Sequence, residues 1–548
     1  MINLQRTKIT WEGGQKLVWL ILLSFALVTW MGANRAFGQS TSPGVLASWS
    51  LAIGNAKPVP GVEIGVPRVV ARFVLNQPNA NCKLYVLFGI SDDNSPLTPP
   101  NIAPEVRKKP QSGEWGDATS WPVTLCQAEL PASWDSAKLV KFQGVVYYEE
   151  SSPGSILALA TVVFPGPHQI GRKHDKEVRV AGVGDTGCRS GFVCWPGTNN
   201  FTQVATSIAS KDPDLVFHVG DYRYINEGAF GSEQWQYFLT EFFAPANELL
   251  RKSVLIAGRG NHEQCRHHDV WYGNGWFYLF EATNSLTSSV CPAHNATAPT
   301  DANAVVPPWS VDIAPLLGTN NGANLAQRIV VLDTSADCKN FSHQCGRDIH
   351  AGWPSTSRTL KPIDEAITKN FETAHGFSTN FGGPSWWIGH KPIWDFAGGT
   401  RSSYVGWTEA MSKMLNAVVP DGLCDSAGTC KPNTLVAGHQ HFFQRIIFPG
   451  VDGAGMPIAK APQQYVIGHG GIVERSAPVP SICTADFGGL DGIVSSNSQH
   501  HGYMLWTRSS ETTDLPAGAS EEACFIEGTE TNCVPTPYGP ASDACRGS

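Results

Sequence analysis

Charge is scarce in this chain. Of its 548 residues only 16% are charged, and the formal net charge is −8. Arg6, Lys8, Lys16 and Arg35 against Glu12 make the first 38 residues basic, which leaves about −11 on the remainder. That acidic remainder excludes a surface built to track a phosphate backbone, so no nucleic-acid partner is expected. No cysteine precedes Cys82, which argues against a lipid-modified N-terminal cysteine. Among the fourteen cysteines there is no Cys-x-x-Cys, which disfavours a zinc ribbon or a thioredoxin-type motif. After Met31 no apolar run reaches the roughly 20 residues that a membrane span requires. No internal repeat is evident.

What is present points outward from the cell. Arg6, Lys8 and Lys16 precede an apolar run from about Leu17 to Met31, and Ala36-Phe37-Gly38 offers a small-x-small cleavage site before Gln39. Residues 1–38 are therefore expected to be a signal peptide, with a periplasmic or secreted product that has no stable membrane association once cleaved. An uncleaved anchor is the alternative. Fourteen cysteines suit an oxidising destination. Many lie close in sequence: Cys188 and Cys194, Cys265 and Cys291, Cys338 and Cys345, Cys424 and Cys430, and the tail group Cys524, Cys533 and Cys545. Loop-clipping disulfides are expected, with the pairing open; Cys82 with Cys126 is one candidate. Asn200, Asn295 and Asn340 sit in Asn-x-Ser/Thr triplets, which chance alone accounts for.

The length implies two or more domains. Residues 39–172 read as an all-β domain. Val69–Leu75, Cys82–Phe88 and Leu139–Tyr148 are rich in β-branched and aromatic residues and are separated by Pro, Asn and Gly clusters. A small β-sandwich without chemistry of its own is expected there. From residue 173 to 510 the rhythm is α/β. Apolar strands are predicted at Val178–Val183, Leu215–Val219, Val254–Ala257, Ser385–Ile388 and Thr434–Ala437. Further strands are predicted at Arg328–Thr334, Gln464–Gly468 and His501–Trp506, with helix candidates at Phe201–Ser210 and Thr359–Thr373. Residues 511–548 read as a cysteine-containing, stapled extension.

Five short stretches follow those strands in order: Gly184-Asp185-Thr186-Gly187, Gly220-Asp221-Tyr222-Arg223-Tyr224, Gly260-Asn261-His262-Glu263, Trp387-Ile388-Gly389-His390 and Gly438-His439-Gln440-His441. Each could be a turn or a helix cap. Together they place every candidate ligand just beyond the C-terminal end of a strand, where open α/β sheets collect their sites. They supply two carboxylates, a phenol, an amide oxygen and three imidazoles, about what two adjacent cations need. Such a pair is suited to phosphate-ester hydrolysis. Asp221, central in the set, can bridge both ions through its two oxygens, with Asp185 terminal on one. His439 and His441, two apart, can reach different ions. His262, beside Asn261, can stand near the site without binding metal. His262 and His267 resemble a zinc-protease helix, but the second histidine comes one residue late. Arg189, Arg259, Arg266, Lys391 and Arg445 lie near the motifs, and surface solvation is the expected role of each.

At this point the sequence resembles the purple acid phosphatases, a branch of the calcineurin-like metallophosphoesterase superfamily. Most of that superfamily carries Asp-x-His at the first motif. Here the third position is Gly187, and Gly-Asp-x-x-Tyr supplies Tyr224 instead. The resemblance covers about residues 175–510. It implies an α/β fold with a metallophosphoesterase-type β-sandwich flanked by helices, preceded by a small all-β (Ig/fibronectin-like) domain. It implies a ferric ion on Asp185, Asp221, Tyr224 and His441. It implies a second ion, Fe(2+), Zn(2+) or Mn(2+), on Asp221, Asn261, His390 and His439. Asp221 and His262 would be catalytic, with His262 as the acid. The implied reaction is hydrolysis of phosphate monoesters by a metal-bound hydroxide. Trp387 stands where valine is usual. No histidine occurs between His390 and His439, where some members place phosphate-binding ones. The cysteines beside the motifs suggest a divergent, bacterial branch. A phosphodiesterase or nucleotidase on the same metals is the alternative, and a non-catalytic secreted binding protein is a weaker one.

The export signal gives the first prediction. N-terminal sequencing of the exported protein should begin at Gln39; recovery of intact Met1 would count against cleavage.

Overall fold

The computed structural model describes residues 44–54, 68–76, 82–91, 96–97, 104–107, 121–130, 139–149, 156–165, 177–188, 200–224, 234–263, 266–267, 270–271, 274–282, 305–313, 327–335, 361–394, 411, 414–451, 457–471, 483–486, 491–497, 500–509, 519–527 and 530–535. The expected signal peptide, 1–38, lies outside them, as do Asn295 and Asn340. Among the described residues no helix is long and apolar enough to cross a membrane.

Two large sheets carry the fold. The first has ten strands, in the order Glu530–Pro535, Ala519–Glu527, Gly502–Ser509, Glu177–Val183, Leu215–His218, Val254–Ala257, Val45–Ile53, Arg68–Leu75, Thr124–Leu130 and Glu105–Val106. The second has eight: Trp309–Ile313, Gln327–Val331, Ser385–Ile388, Thr434–Ala437, Pro457–Ile467, Phe443–Val451, Asp491–Asn497 and Cys483–Asp486. The centre of each is parallel: Glu177–Val183, Leu215–His218 and Val254–Ala257 in one, Gln327–Val331, Ser385–Ile388, Thr434–Ala437 and Pro457–Ile467 in the other. Parallel strands are covered on both faces, which explains why Leu-Val-Phe-His, Val-Leu-Ile-Ala, Ser-Trp-Trp-Ile and Thr-Leu-Val-Ala are buried at every position.

Alternation along these strands sorts the side chains into layers. Leu215, Phe217, Val254, Ile256, Met504 and Trp506 face the second sheet's Val311, Ile329, Trp386, Ile388, Val436 and Tyr465 in one core. Val216, Leu255 and Ala257 point the other way, onto helices Asn200–Ser210, Ala244–Leu250 and Asn274–Leu279. Beyond the second sheet, Val330, Trp387 and Leu435 pack on helix Lys361–Thr379 through Ile367, Phe371 and Phe377. The result is helices, sheet, sheet, helices, as the α/β expectation required. Each fully buried large side chain contributes roughly 1.5–3 kcal/mol. The helices predicted near 201–210 and 359–373 are present at Asn200–Ser210 and Lys361–Thr379.

The expected division into 39–172, 173–510 and 511–548 crosses these sheets. Val45–Ile53 pairs in parallel with Val254–Ala257, and Ala519–Glu527 and Glu530–Pro535 extend the same sheet at its far end. A four-stranded sheet of Pro96–Leu97, Lys83–Ser91, Leu139–Glu149 and Ile156–Pro165 completes the N-terminal region. It meets the first sheet where Phe164 lies against Phe73, with ring centroids 6.4 Å apart. Cys82 is joined to Cys126 across the same boundary. Cys424–Cys430 and Cys524–Cys533 clip short loops, and Cys188 is also disulfide-bonded. Asn200 starts a helix, and its amide nitrogen lies 2.6 Å from His501 Nε2 and 3.4 Å from the Gly471 carbonyl, a packed setting rather than an open acceptor.

Two buried arginines bind the N-terminal region to the rest. Arg72 donates to the Leu279 and Glu281 carbonyls, and Arg107 to those of Tyr278 and Phe277 and to the Glu281 carboxylate at 2.9 Å. The Phe277, Tyr278 and Leu279 carbonyls end helix Asn274–Leu279, whose own backbone cannot satisfy them, and Glu281 follows just beyond. Losing the Cys82–Cys126 bridge through a paired change to serine should cost about 2–4 kcal/mol of stability. Urea unfolding of the double variant checks this, and an unchanged midpoint would contradict it.

Candidate metal centre

The crevice lies where strands from both sheets end. Its backbone is strained at the ligands themselves. Asp185, Asp221 and His439 take φ values of 55°, 61° and 71°, in the left-handed region that costs an ordinary residue roughly 1–2 kcal/mol. Aspartate tolerates this better than most, because its short side chain can bond locally. Gly220, at φ 110°, precedes Asp221, and any Cβ there would strike the backbone at Gly260.

All seven predicted ligands converge. The Tyr224 hydroxyl lies 2.9 Å from Asp221 Oδ2, 3.0 Å from Asp185 Oδ1 and 3.3 Å from His441 Nε2. His441 Nε2 is 3.7 Å from Asp185 Oδ1. The same Asp221 Oδ2 lies 3.2 Å from His390 Nε2, which is 2.8 Å from Asn261 Oδ1. His439 Nδ1 is 2.6 Å from the same amide oxygen. His390 Nδ1 lies 3.0 Å from the Val219 carbonyl, which can take its proton and leave the Nε2 lone pair facing the crevice. Asp221, His390 and His439 alone bring three donor atoms within 4.8 Å. Asp185, Asp221, Tyr224, Asn261, His390 and His441 are buried, and His439 and His262 are partly so. His262 sits at the rim: its amide donates to Asp221 Oδ1 at 2.9 Å, and its ring is centred 4.2 Å from that of Tyr224. Glu522, Cys524 and Cys533 also cluster, but the two cysteines are oxidised to a disulfide and offer no thiolate.

Electrostatically the crowd of acceptors is short of positive charge. Burial, and then Asp221 against the relief from His390, pushes the Asp185 carboxyl up to about 7. Burial opposes ionisation of Asp221 too, but His390 and His262 hold it well below the usual carboxylate range. Burial would lower His390, yet Asp221 raises it to about 9. Burial, His390 and Lys391 hold His439 well below the usual imidazole range. Burial and the two carboxylates push the Tyr224 phenol well above its usual value. Two carboxylates, a phenol and three imidazoles facing one another fit two cations, whose charge would oppose the upward shifts of Asp185, His390 and Tyr224, while Asp221 and His439 already favour the metal-binding form.

Several supporting residues carried no role in the sequence analysis. Glu263, fully buried, accepts the Asp221 and Tyr222 amides at 2.9 and 2.8 Å and the Gly260 amide at 3.1 Å. Burial pushes its carboxyl up to about 8. Its signal was its place at the end of Gly-Asn-His-Glu. Thr334 Oγ1 accepts the His390 and Lys391 amides, both at 2.8 Å. Glu241 accepts the Tyr224 and Cys188 amides; its only signal is a charge set between Leu239-Thr240 and Phe242-Phe243. His218 takes the Gly220 amide on Nδ1 at 3.1 Å and gives its Nε2 proton to Thr186 Oγ1 at 2.8 Å.

The expectation of surface solvation fails for three of the five basic residues. Arg259, Lys391 and Arg445 are all buried. Arg259 pairs with Asp333 at 3.1 Å and lies over the Trp276 and Phe277 rings. Arg445 reaches Gln463 and Glu521. The Lys391 ammonium is close enough to disfavour a proton on His439. The α/β packing that lines the crevice removes these positions from water, which adjacency in sequence does not reveal. Arg189 lies outside the described residues, as does the side chain of Arg266.

Burial lowers the His218 imidazole to about 3. The folded state therefore binds fewer protons than the unfolded one below pH 6.5. The associated stability is complete above that value and is lost as pH falls toward 3. Between pH 7 and pH 5 the loss is of order 2 kcal/mol. In metal-free protein, His218→Asn should be less stable at pH 7 but should lose less on acidification; equal losses in variant and parent, by urea unfolding, would refute the assignment.

Residues 178–443 match the calcineurin-like phosphoesterase family. Among solved structures the chain is similar to the purple acid phosphatase PPD1 from yellow lupin (Lupinus luteus) seeds. The identity is 11%, over 90% of this chain and 73% of that one, with a TM-score of 0.50, a likeness of fold. It is also similar to a structure of PhoD, at 12% identity over 92% of this chain and 95% of that one, with a TM-score of 0.47. No curated protein matches in sequence. Residues 178–443, just under half of the chain, carry a calcineurin-like phosphoesterase region with the candidate ligands at its strand ends, and the protein is a metal-dependent phosphoric ester hydrolase.

Proposed function

We propose that the chain is an exported phosphatase of the purple acid phosphatase type, hydrolysing phosphate monoesters at a two-metal centre. One observation carries this reading: the Tyr224 hydroxyl sits between Asp185, Asp221 and His441, while His390 and His439 gather on the Asn261 amide oxygen. Asp185, Asp221, Tyr224 and His441 would hold a ferric ion, because a phenol that burial and carboxylates keep protonated yields its proton to a highly charged hard cation. Asp221, Asn261, His390 and His439 would hold a divalent ion, Fe(2+), Zn(2+) or Mn(2+). Paired cations supply charge neutralisation and water activation for in-line displacement at phosphorus.

The chain's own groups supply the remainder. Asp221 turns one carboxylate oxygen, Oδ2, to both halves of the set, where it meets the Tyr224 hydroxyl and the His390 imidazole, while the His262 amide holds Oδ1. Glu263 and Thr334 hold the backbones of Asp221 and His390 in register. His262, partly exposed at the rim with Nε2 3.7 Å from Asp221 Oδ2, is placed to give a proton to the departing alkoxide. Export is supported by the signal-like N-terminus and by the Cys82–Cys126, Cys424–Cys430 and Cys524–Cys533 bridges.

Metal analysis with visible spectroscopy tests this. The purified protein should hold two ions per chain and show a tyrosinate-to-iron absorption that Tyr224→Phe removes. Asp221→Ala should lose both ions and all detectable turnover. A colourless, iron-free, active enzyme would place the chain elsewhere in the family. Faster turnover of bis-aryl than of mono-aryl phosphates would make it a diesterase.

A further inference from the structure

Glu241 is fully buried on a π turn, Leu239–Phe243, between helices Trp235–Phe238 and Ala244–Leu250. Its neighbours Phe242 and Phe243 join an aromatic cluster with Trp235, Phe238 and Phe280. Glu241 does not follow them. Its Oε2 accepts the Tyr224 amide at 2.7 Å and the Cys188 amide at 2.8 Å. Those two amides belong to different loops. Tyr224 lies on the loop that leaves strand Leu215–His218, and Cys188 lies three residues beyond Asp185 on the loop that leaves Glu177–Val183. A π turn inserts one residue into a helix and re-aims a single side chain, a device common at functional sites.

The backbones of the two loops also meet deeper in the crevice: the Asp185 amide donates to the Gly220 carbonyl, and that of Thr186 to the Asp221 carbonyl. Those contacts set the depth of the carboxylates. They do not fix Tyr224, which lies three residues further along. The hydroxyl of Tyr224 must nevertheless reach Asp185 Oδ1 and Asp221 Oδ2 together, at 3.0 and 2.9 Å. Gly187 leaves room for it: a Cβ at that position would lie 2.6 Å from Tyr224 Cδ2.

We propose that Glu241 is a positioning residue for the ferric half of the centre, clamping the Tyr224 loop to the Asp185 loop so that the phenol stands between the two carboxylates. The proposal rests on Tyr224 being a metal ligand. A clamp of this kind acts on one ion. The side chains that would hold the divalent ion, apart from the shared Asp221, hang on loops that Glu241 does not touch through any contact described above.

The test is a double-mutant cycle on the full-length protein, read as ferric and zinc affinity and as the position of the tyrosinate absorption. Glu241→Ala should weaken ferric binding by about 10–100-fold, the range for residues that orient metal ligands, and shift the band. Glu241→Gln keeps a neutral oxygen for both amides and should lose severalfold. Zinc affinity in both variants should stay within about threefold of the parent. The Glu241→Ala/Tyr224→Phe double variant should bind ferric ion no more weakly than Tyr224→Phe alone, because the two residues act as a unit. Far-UV circular dichroism of each metal-free variant separates misfolding from misplacement. Should Glu241→Ala not fold, Glu241→Gln decides. Additive losses, equal weakening of both ions, or a Glu241→Gln variant identical to the parent would overturn the proposal. A parent protein that binds fewer than two ions would instead overturn the metal reading, and the clamp with it.

Discussion

Asp185 and Asp221 are forced into one dry crevice, and much of the surrounding structure serves that enforced proximity. Neither carboxylate is in water, and burial alone would protonate both. Each also sits on a left-handed backbone, as does His439. Isolated, such an arrangement would relax by rotating a loop. It persists because the amides around it are held by groups that cannot move: Glu263 under Asp221, Glu241 under Tyr224, Thr334 under His390, and the neutral His218 between Thr186 and Gly220. Strain of this kind, held in place by the fold, is characteristic of functional sites.

The layered architecture is what makes the crevice two-sided. Asp185, Asp221 and Asn261 leave the first sheet, and His390, His439 and His441 leave the second. Because both parallel blocks end on the same side, their loops meet, and the core between the sheets fixes the distance across which they meet. The ion pair between Arg259 and Asp333 crosses the same seam, joining the loop after Val254–Ala257 to the end of Gln327–Val331. With aromatic faces under its guanidinium and the Val306 and Ser335 amides on its carboxylate, that pair has the additional partners a buried charge requires.

The candidate ligands were legible in the sequence because each lies within a few residues after a short apolar run, and each run is a strand of the fold. Gly187 and Tyr224 stood out through the resemblance to the purple acid phosphatases, in which a donor missing at one loop is supplied at the next. What could not be read was anything that depends on separation in the chain. Glu241 lies 17 residues from Tyr224 and 53 from Cys188. Nothing in a helical segment of mixed composition announces that one carboxylate faces two distant amides. Arg259, Lys391 and Arg445 were assigned to solvent because adjacency to a motif says nothing about which layer covers a side chain. Of the strands within 45–165, those near Val69–Leu75, Cys82–Phe88 and Leu139–Tyr148 were legible as strands, but not their partners. Val45–Ile53 was not, and nothing in its composition says which sheet will accept it.

The parallel pairing of Leu51 with Leu255 has a consequence for the order of events. The first described strand of the chain lies between a strand that follows it directly and one that is synthesised about two hundred residues later. It can close its hairpin with Arg68–Leu75 at once, but its other edge stays bare until Val254–Ala257 exists. Contacts of such separation are slow to form, and an unpaired edge meanwhile invites wrong partners. The chain therefore has little to gain from folding as it emerges and much to gain from being kept extended until nearly half of it is available.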